Sequence, residues 1–238
     1  MFRSKRDTVI YAIGDVHGEA ERLGQMHAHI LERHELLFEG LDKTIIHLGD
    51  YVDRGPDSAG VIEQIMALEA RKDVSVVNLR GNHEAMMLDG LSRAFPNARA
   101  HWLKNGGSET LTSYHAKGHA HVPDAHIKWL AACPLIHIEK SRKLIFVHAG
   151  IDPEKYPEET PETYMWTRSQ RFFDAASWSN RRLFGWTVVH GHTPTEDSFP
   201  ETVKAHANRI NLDTGAVFGG RLTAAIFAPK TPISYIYT

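Results

Sequence analysis

The sequence predicts an α/β fold with a mostly parallel sheet at its amino-terminal end, and three observations predict it. Strand and helix patterns alternate across residues 8–79. Five apolar runs, four of them rich in Val and Ile, each stop beside a small residue and deliver Asp, Asn or His. The stops read Gly14-Asp15-Val16-His17-Gly18, Gly49-Asp50-Tyr51-Val52-Asp53-Arg54-Gly55, Gly81-Asn82-His83-Glu84, His148-Ala149-Gly150 and Gly191-His192-Thr193. One pattern repeated five times is what strands produce when their carboxyl ends share a pocket.

In chain order, residues 8–13 are apolar with little alternation, as in a strand covered on both faces. Residues 19–37 read as a helix with Leu23, Met26, Ile30, Leu31 and Leu37 on one stripe, closed by Gly40. Residues 44–48 form a second strand. Gly55-Pro56-Asp57-Ser58 then makes a turn into a helix that buries Val61, Ile62, Ile65, Met66 and Leu68. A third strand covers residues 74–79. Further on, Asn105-Gly106-Gly107 is a turn with Ser108 as a helix cap, and residues 124–132 are a helix ended by Pro134. Residues 135–139 and 143–147 pair as a hairpin through Lys140-Ser141-Arg142. The stretch 152–162, with Pro153, Pro157, Pro161 and several acids, is an exposed loop. Strands at 187–189, 209–212, 222–227 and 233–237 complete the chain.

If the five stops share a site, its ligands run from Asp15 to His192, so the 238 residues form one domain, 1–238. Hydrophobic residues at 42% supply its core and charged residues at 24% its surface. A net charge of −2 offers no basic groove, so neither nucleic acid nor an anionic membrane is expected as a partner. The single cysteine, Cys133, allows no internal disulfide and fits a reducing compartment. Residues 1–6 are basic, but the apolar run behind them breaks at Asp15, too early for an export signal. No stretch approaches the ~20 apolar residues of a membrane span. These features predict a soluble, cytoplasmic protein.

Carboxylate, amide and imidazole without thiolate make a ligand set for hard or borderline divalent ions. Asp15, His17 and Asp50 are candidates for one ion, and Asp50, Asn82, His148 and His192 for a second. Asp50 bridges, since a carboxylate can serve two ions about 3.5–4 Å apart. His83 sits beside Asn82, and adjacent side chains diverge, which frees His83 to act as an acid with Asp53 orienting its ring. Arg54 at a metal site implies an anion, and its planar fork fits phosphate oxygens; Arg168 is a second candidate of that kind. Asp213 is a candidate support for His192 or an ordinary turn residue, and His190 reads as filler of an apolar run. His115, His119, His121 and His126 read as solvated surface, because no carboxylate or amide is interleaved at ligand spacing.

At these residues the chain resembles the metal-dependent phosphoprotein phosphatases, and most of all their compact bacterial and phage members. The motifs Gly-Asp-x-His-Gly, Gly-Asp-x-x-Asp-Arg-Gly and Gly-Asn-His-Glu occur together and in order. The likeness extends to Trp102-Leu103-Lys104-Asn105-Gly106-Gly107, Trp166-Thr167-Arg168, Gly191-His192-Thr193-Pro194 and Leu212-Asp213-Thr214-Gly215-Ala216-Val217, nearly the whole chain. Ala149 departs from it, standing where eukaryotic members usually have glycine. The resemblance implies a calcineurin-like metallophosphoesterase fold, two mixed β-sheets in a sandwich flanked by helices. It also implies two divalent metal ions, often manganese with iron or zinc as alternatives, that activate a water. Asp15, His17, Asp50, Asn82, His148 and His192 would be the ligands, His83 with Asp53 the proton donor, and Arg54 and Arg168 the phosphate clamps. The expected function is a serine/threonine, or dual-specificity, protein phosphatase acting on a phosphoprotein or small phosphorylated substrate. The rival is a symmetrical dinucleoside tetraphosphate hydrolase, which typically replaces Asp53 and often carries Asp in place of Glu84.

Overall fold

The first strand, β1 (Thr8–Ile13), is buried on both faces, which is why its sequence barely alternates. Val9, Tyr11 and Ile13 point to a layer shared with helix α1 (Ala20–Leu37) through Leu23, Met26 and Ile30. Ile10 and Ala12 point the other way, toward a second sheet. The computed structural model describes residues 7–92 and 95–238, so the basic residues 1–6 lie outside it.

Strands β2 (Asp42–His47) and β3 (Ser75–Asn78) continue parallel to β1, with helix α2 (Ser58–Glu69) between them in sequence. The Asp57 carboxylate caps α2 by accepting from the Gly60 amide at 2.8 Å. Helix α3 (Asn82–Leu91) starts directly after β3. It is followed by α4 (Ala98–Trp102), a five-residue π turn (Leu103–Gly107), α5 (Ser108–Ala116) and α6 (Asp124–Ala132). Strands β4 (Ile136–Glu139) and β5 (Leu144–Val147) form the antiparallel hairpin read from the sequence. Helices α7 (Pro161–Trp166) and α8 (Gln170–Phe173) lead to β6 (Thr187–His190), β7 (Glu201–Lys204), β8 (Asn208–Asn211), β9 (Thr223–Phe227) and β10 (Ser234–Tyr237).

Two five-stranded mixed sheets result, in the orders β10-β9-β1-β2-β3 and β4-β5-β6-β8-β7. Each has three parallel strands, and antiparallel partners fill the rest. Ile10, Ala12, Ile46, Ala225 and Phe227 of the first sheet meet Leu144, Phe146, Val189 and Ile210 of the second in an apolar layer between them. The outer face of the first sheet carries α1 and α2; that of the second packs Ile145, Val147 and Val188 against Phe172, Trp178 and Leu183. This is the sandwich expected. β1, β2 and β3 end on the same edge as β5 and β6, and the sheets pinch together there. A side chain at Gly14 would run into the backbone carbonyl of Leu212 across the gap. Among the described residues no helix is long and apolar enough to cross a membrane.

Some local expectations shift. Ser108 opens α5 but does not cap it; the hydroxyl bonds Glu109 and the preceding Gly107 is already helical, so the π turn runs straight into the helix. The loop over 152–162 gives way at Pro161, which suits the first turn of α7. β7 was not read from the sequence; it is an exposed edge strand of four residues, with no apolar run to announce it.

Phe146 is fully buried between the sheets, edge-on to Phe227 with ring centroids 5.7 Å apart. Phe146→Ala should lower the unfolding free energy by about 3–5 kcal/mol in urea denaturation, since the rigid layers on either side cannot close the cavity.

Candidate metal centre

The five strand ends deliver their polar residues into one buried cluster. His17, Asp50 and His83 place ligand atoms within 4.8 Å of one another, and so do Asp50, His148 and His192. Asp50 belongs to both groups. Asn82 joins the second, its Oδ1 lying 2.9 Å from His148 Nε2 and 2.8 Å from His192 Nδ1. Asp15 turns both carboxylate oxygens onto the His192 amide, at 3.0 and 3.1 Å. All six candidate ligands are buried.

Backbone contacts decide which ring nitrogens face the cluster. His17 Nδ1 donates to the Val52 carbonyl at 2.9 Å, and His148 Nδ1 to the Leu48 carbonyl at 3.0 Å. Each Nε2 then presents a lone pair inward. At His148 that lone pair meets Asn82 Oδ1 and, at 3.3 Å, Asp50 Oδ1, so acceptors converge on one point. Such a cluster favours a proton or a metal cation at that point. The charges agree. Burial pushes the Asp15 carboxyl well above the usual range, and Asp213 and Asp50 add to it. Burial also opposes charge on Asp50, but the His148 and His83 imidazoles hold it well below its ordinary value. At His148 burial works against the imidazolium, yet Asp50 drives it up to about 10, a proton standing where a cation is wanted. Burial lowers His17 to about 3, so its Nε2 stays unprotonated and accepts from Arg54 Nη1. Nitrogen and oxygen donors without thiolate suit divalent ions of borderline or hard character, so the residues present fit a metal centre.

The frame beneath this cluster is a carboxylate that the sequence reading treated only as a motif letter. Glu84, fully buried, accepts four backbone N–H groups. Oε2 takes those of Asp50 and Gly81 at 2.8 Å each, and Oε1 takes Tyr51 at 2.7 Å and Val52 at 3.3 Å. It touches only the chain itself, so its identity reports on the scaffold and not on the substrate. Gly81 lets this happen, because a side chain there would collide with Asp50 Oδ1. His17, Asp50, Asp53, Arg54 and His192 all have positive φ, between 44° and 75°. Non-glycine residues in that region carry strain of about 1–3 kcal/mol each and persist where surrounding contacts over-determine them.

Asp53 lies 2.7 Å from His83 Nδ1 through Oδ2. Its other oxygen accepts from Trp102 Nε1 at 2.9 Å and Thr110 Oγ1 at 2.7 Å. The Trp102 ring is buried against Gly90 and Gly107, where any side chain would overlap it. Trp102 and Thr110 are the partners that sequence reading missed; the signal was the Trp102–Gly107 motif, whose purpose only the fold shows. Arg54 Nη1 lies 2.7 Å from His17 Nε2. Arg168 is exposed and reaches the cluster through Nη2, 3.3 Å from the His192 carbonyl. Asp213 is nearby but binds the Gly215 amide at 3.1 Å, and burial raises it to about 6. His190 is buried outside the cluster, between Gly191 O and Arg209 Nη1. Among the described residues, His115, His119, His121 and His126 gather no metal-ligand group.

The model of the calcineurin-like phosphoesterase family matches residues 8–227. The serine/threonine-protein phosphatase 1 of Salmonella typhimurium is 30% identical over 227 residues, covering 91% of this chain and 90% of its own length. The asymmetrical bis(5'-nucleosyl)-tetraphosphatase PrpE of Oceanobacillus iheyensis is also 30% identical, over 249 residues, covering 93% and 90%. A metallophosphoesterase structure from Sphaerobacter thermophilus superposes with a TM-score of 0.59 at 20% identity, covering 98% of this chain and 88% of that one.

Glutamine at position 84 would keep one acceptor oxygen and turn an NH₂ toward two of the four amides. Glu84→Gln should therefore lower stability by about 2–4 kcal/mol in urea denaturation and weaken divalent-cation binding measured by calorimetry.

Proposed function

As the chain belongs to the calcineurin-like phosphoesterase family and is thereby a phosphoester hydrolase, we propose that it dephosphorylates phosphoserine and phosphothreonine in proteins, and phosphotyrosine as well. The observation that carries this reading is the His83–Asp53 pair at 2.7 Å beside the cation-demanding cluster. A serine alkoxide is a poor leaving group, and a proton donor at the edge of a metal centre is what its departure needs.

In this reading Asp15, His17 and Asp50 would hold one divalent ion and Asp50, Asn82, His148 and His192 the other, manganese being the first candidate. Bound there, the ions would supply Lewis-acid chemistry and a water activated at neutral pH. The chain's own residues do the rest. Arg54, anchored by its backbone amide to Gly106 O at 3.2 Å, and Arg168, beside His192, take the non-transferred phosphate oxygens and neutralise their charge. His83 gives its Nε2 proton to the leaving oxygen. Asp53 holds Nδ1, and Trp102 with Thr110 fixes Asp53, so the ring meets substrate in one orientation.

A second reading comes from the relatives. The PrpE proteins, asymmetrical bis(5'-nucleosyl)-tetraphosphatases by name, match at similar identity, so hydrolysis of a dinucleoside tetraphosphate competes for the same centre.

His83→Asn should keep both ions by metal analysis and lose about 10²–10⁴-fold in kcat on a phosphoserine peptide. On p-nitrophenyl phosphate, whose leaving group needs little protonation, the loss should be much smaller; equal losses would remove His83 from the acid role. Manganese-loaded enzyme should turn over phosphoserine peptides with a higher kcat/KM than diadenosine tetraphosphate. The reverse order, with ATP and AMP released, would establish the second reading.

A further inference from the structure

Two large aromatic rings stand at the centre and belong to none of the three apolar layers. Phe218 is 65% exposed, with the Arg54 guanidinium 5.5 Å from its ring centroid. Trp166 is 41% exposed and meets the His192 ring edge-on at 6.3 Å. One ring thus borders the Arg54–His17 half of the cluster and the other the His192 half.

Phe218 is held out deliberately. It ends a short turn, Ala216–Phe218, between Gly215 and Gly219, both left-handed at φ 71° and 86°. Arg22 of α1 donates through Nη1 to the carbonyls of Ala216 and Gly220, at 3.2 and 2.6 Å, and so braces the turn from behind. The Asp213 carboxylate accepts from the Gly215 amide at its start. The braced turn displays a Phe to water, with the Arg54 guanidinium near its ring. It presents a π face to whatever the phosphate carries.

We propose that Phe218 is a specificity-determining residue that stacks on the leaving group of aryl phosphomonoesters, so that phosphotyrosine is accepted by ring contact beside the clamp at Arg54. This rests on the phosphomonoesterase reading above. With the phosphoryl group on Arg54, a phenolic ring one oxygen away falls within reach of the Phe218 face, and an offset or edge-to-face pair forms. A serine side chain carries no ring and leaves that face unused.

The experiment compares wild-type enzyme, Phe218→Ala, Phe218→Leu and Phe218→Tyr on two peptides of one sequence, phosphorylated on tyrosine or on serine, with manganese present throughout. An exposed side chain can be changed without unfolding the protein, which the melting temperature will verify. Phe218→Ala and Phe218→Leu should lose about 3- to 10-fold in kcat/KM on the phosphotyrosine peptide, mostly in KM, with little change on phosphoserine. Phe218→Tyr should restore the wild-type ratio. Equal losses on both peptides would mean that Phe218 only steadies Arg54, and no loss on either would mean that it touches nothing; each overturns the proposal while leaving the phosphatase reading intact. A wild-type enzyme that cleaves neither peptide overturns both.

Discussion

The four-fold grip of Glu84 on the backbone is the interaction on which the rest of the centre depends. Asp50, Tyr51 and Val52 leave β2, and Gly81 leaves β3; one buried carboxylate takes all four of their amides. Its own residue sits in the first turn of α3, so the helix and two strand ends become a single rigid piece. That piece carries Asp50, Asp53, Arg54, Asn82 and His83. The amides of Val16 and His17 in turn bond the Asp50 carbonyl at 3.1 and 2.8 Å, which ties the first fragment to it. Strained left-handed residues can sit side by side here because no neighbouring segment is free to relax them.

Much of the fold was legible because it rests on local rules. Thr8 to Ile13 read as a doubly covered strand, and it is one; the hairpin of β4 and β5 followed from a polar turn between two apolar runs. What stayed hidden depends on partners distant in sequence. Nothing around Trp102 says that its indole N–H will meet Asp53, 49 positions earlier. Glu84 looks like any residue in the first turn of a helix until the backbone amides that donate to it are counted. The convergence of Asp15, Asp50 and His192 was readable from a repeated strand-then-ligand pattern. The turn of the Asp15 carboxylate onto the His192 amide was not, since it depends on how two sheets approach at one edge.

Burying several acids and imidazoles together opposes folding unless their charges are answered. The cluster answers part of this internally: Arg54 donates to the His17 ring, and Asp50 draws a proton to His148. The remaining demand is for positive charge. The same feature that makes burying these groups electrostatically unfavourable favours a cation among them, because positive charge answers converging acceptors more strongly than a neutral donor does.

The two substrate readings draw on the same metal-donor cluster, so the donors alone do not distinguish them. Whatever separates a phosphoprotein from a dinucleoside polyphosphate must lie in groups that touch the non-transferred part of the substrate. In the reading proposed above, such groups sit outside the rigid piece: Arg168 after α7, Trp166 beside it, and Phe218 on its braced turn. Their anchoring is lighter than that of Asp50 or His83. Arg168 is exposed and makes one long bond to a carbonyl, whereas Asp53 is fixed by four partners. Selection for a new phosphoester can therefore act on this rim without disturbing Glu84 or the strand ends. A chain about 30% identical both to a protein phosphatase and to a dinucleoside tetraphosphatase is what such a division between frame and rim would produce.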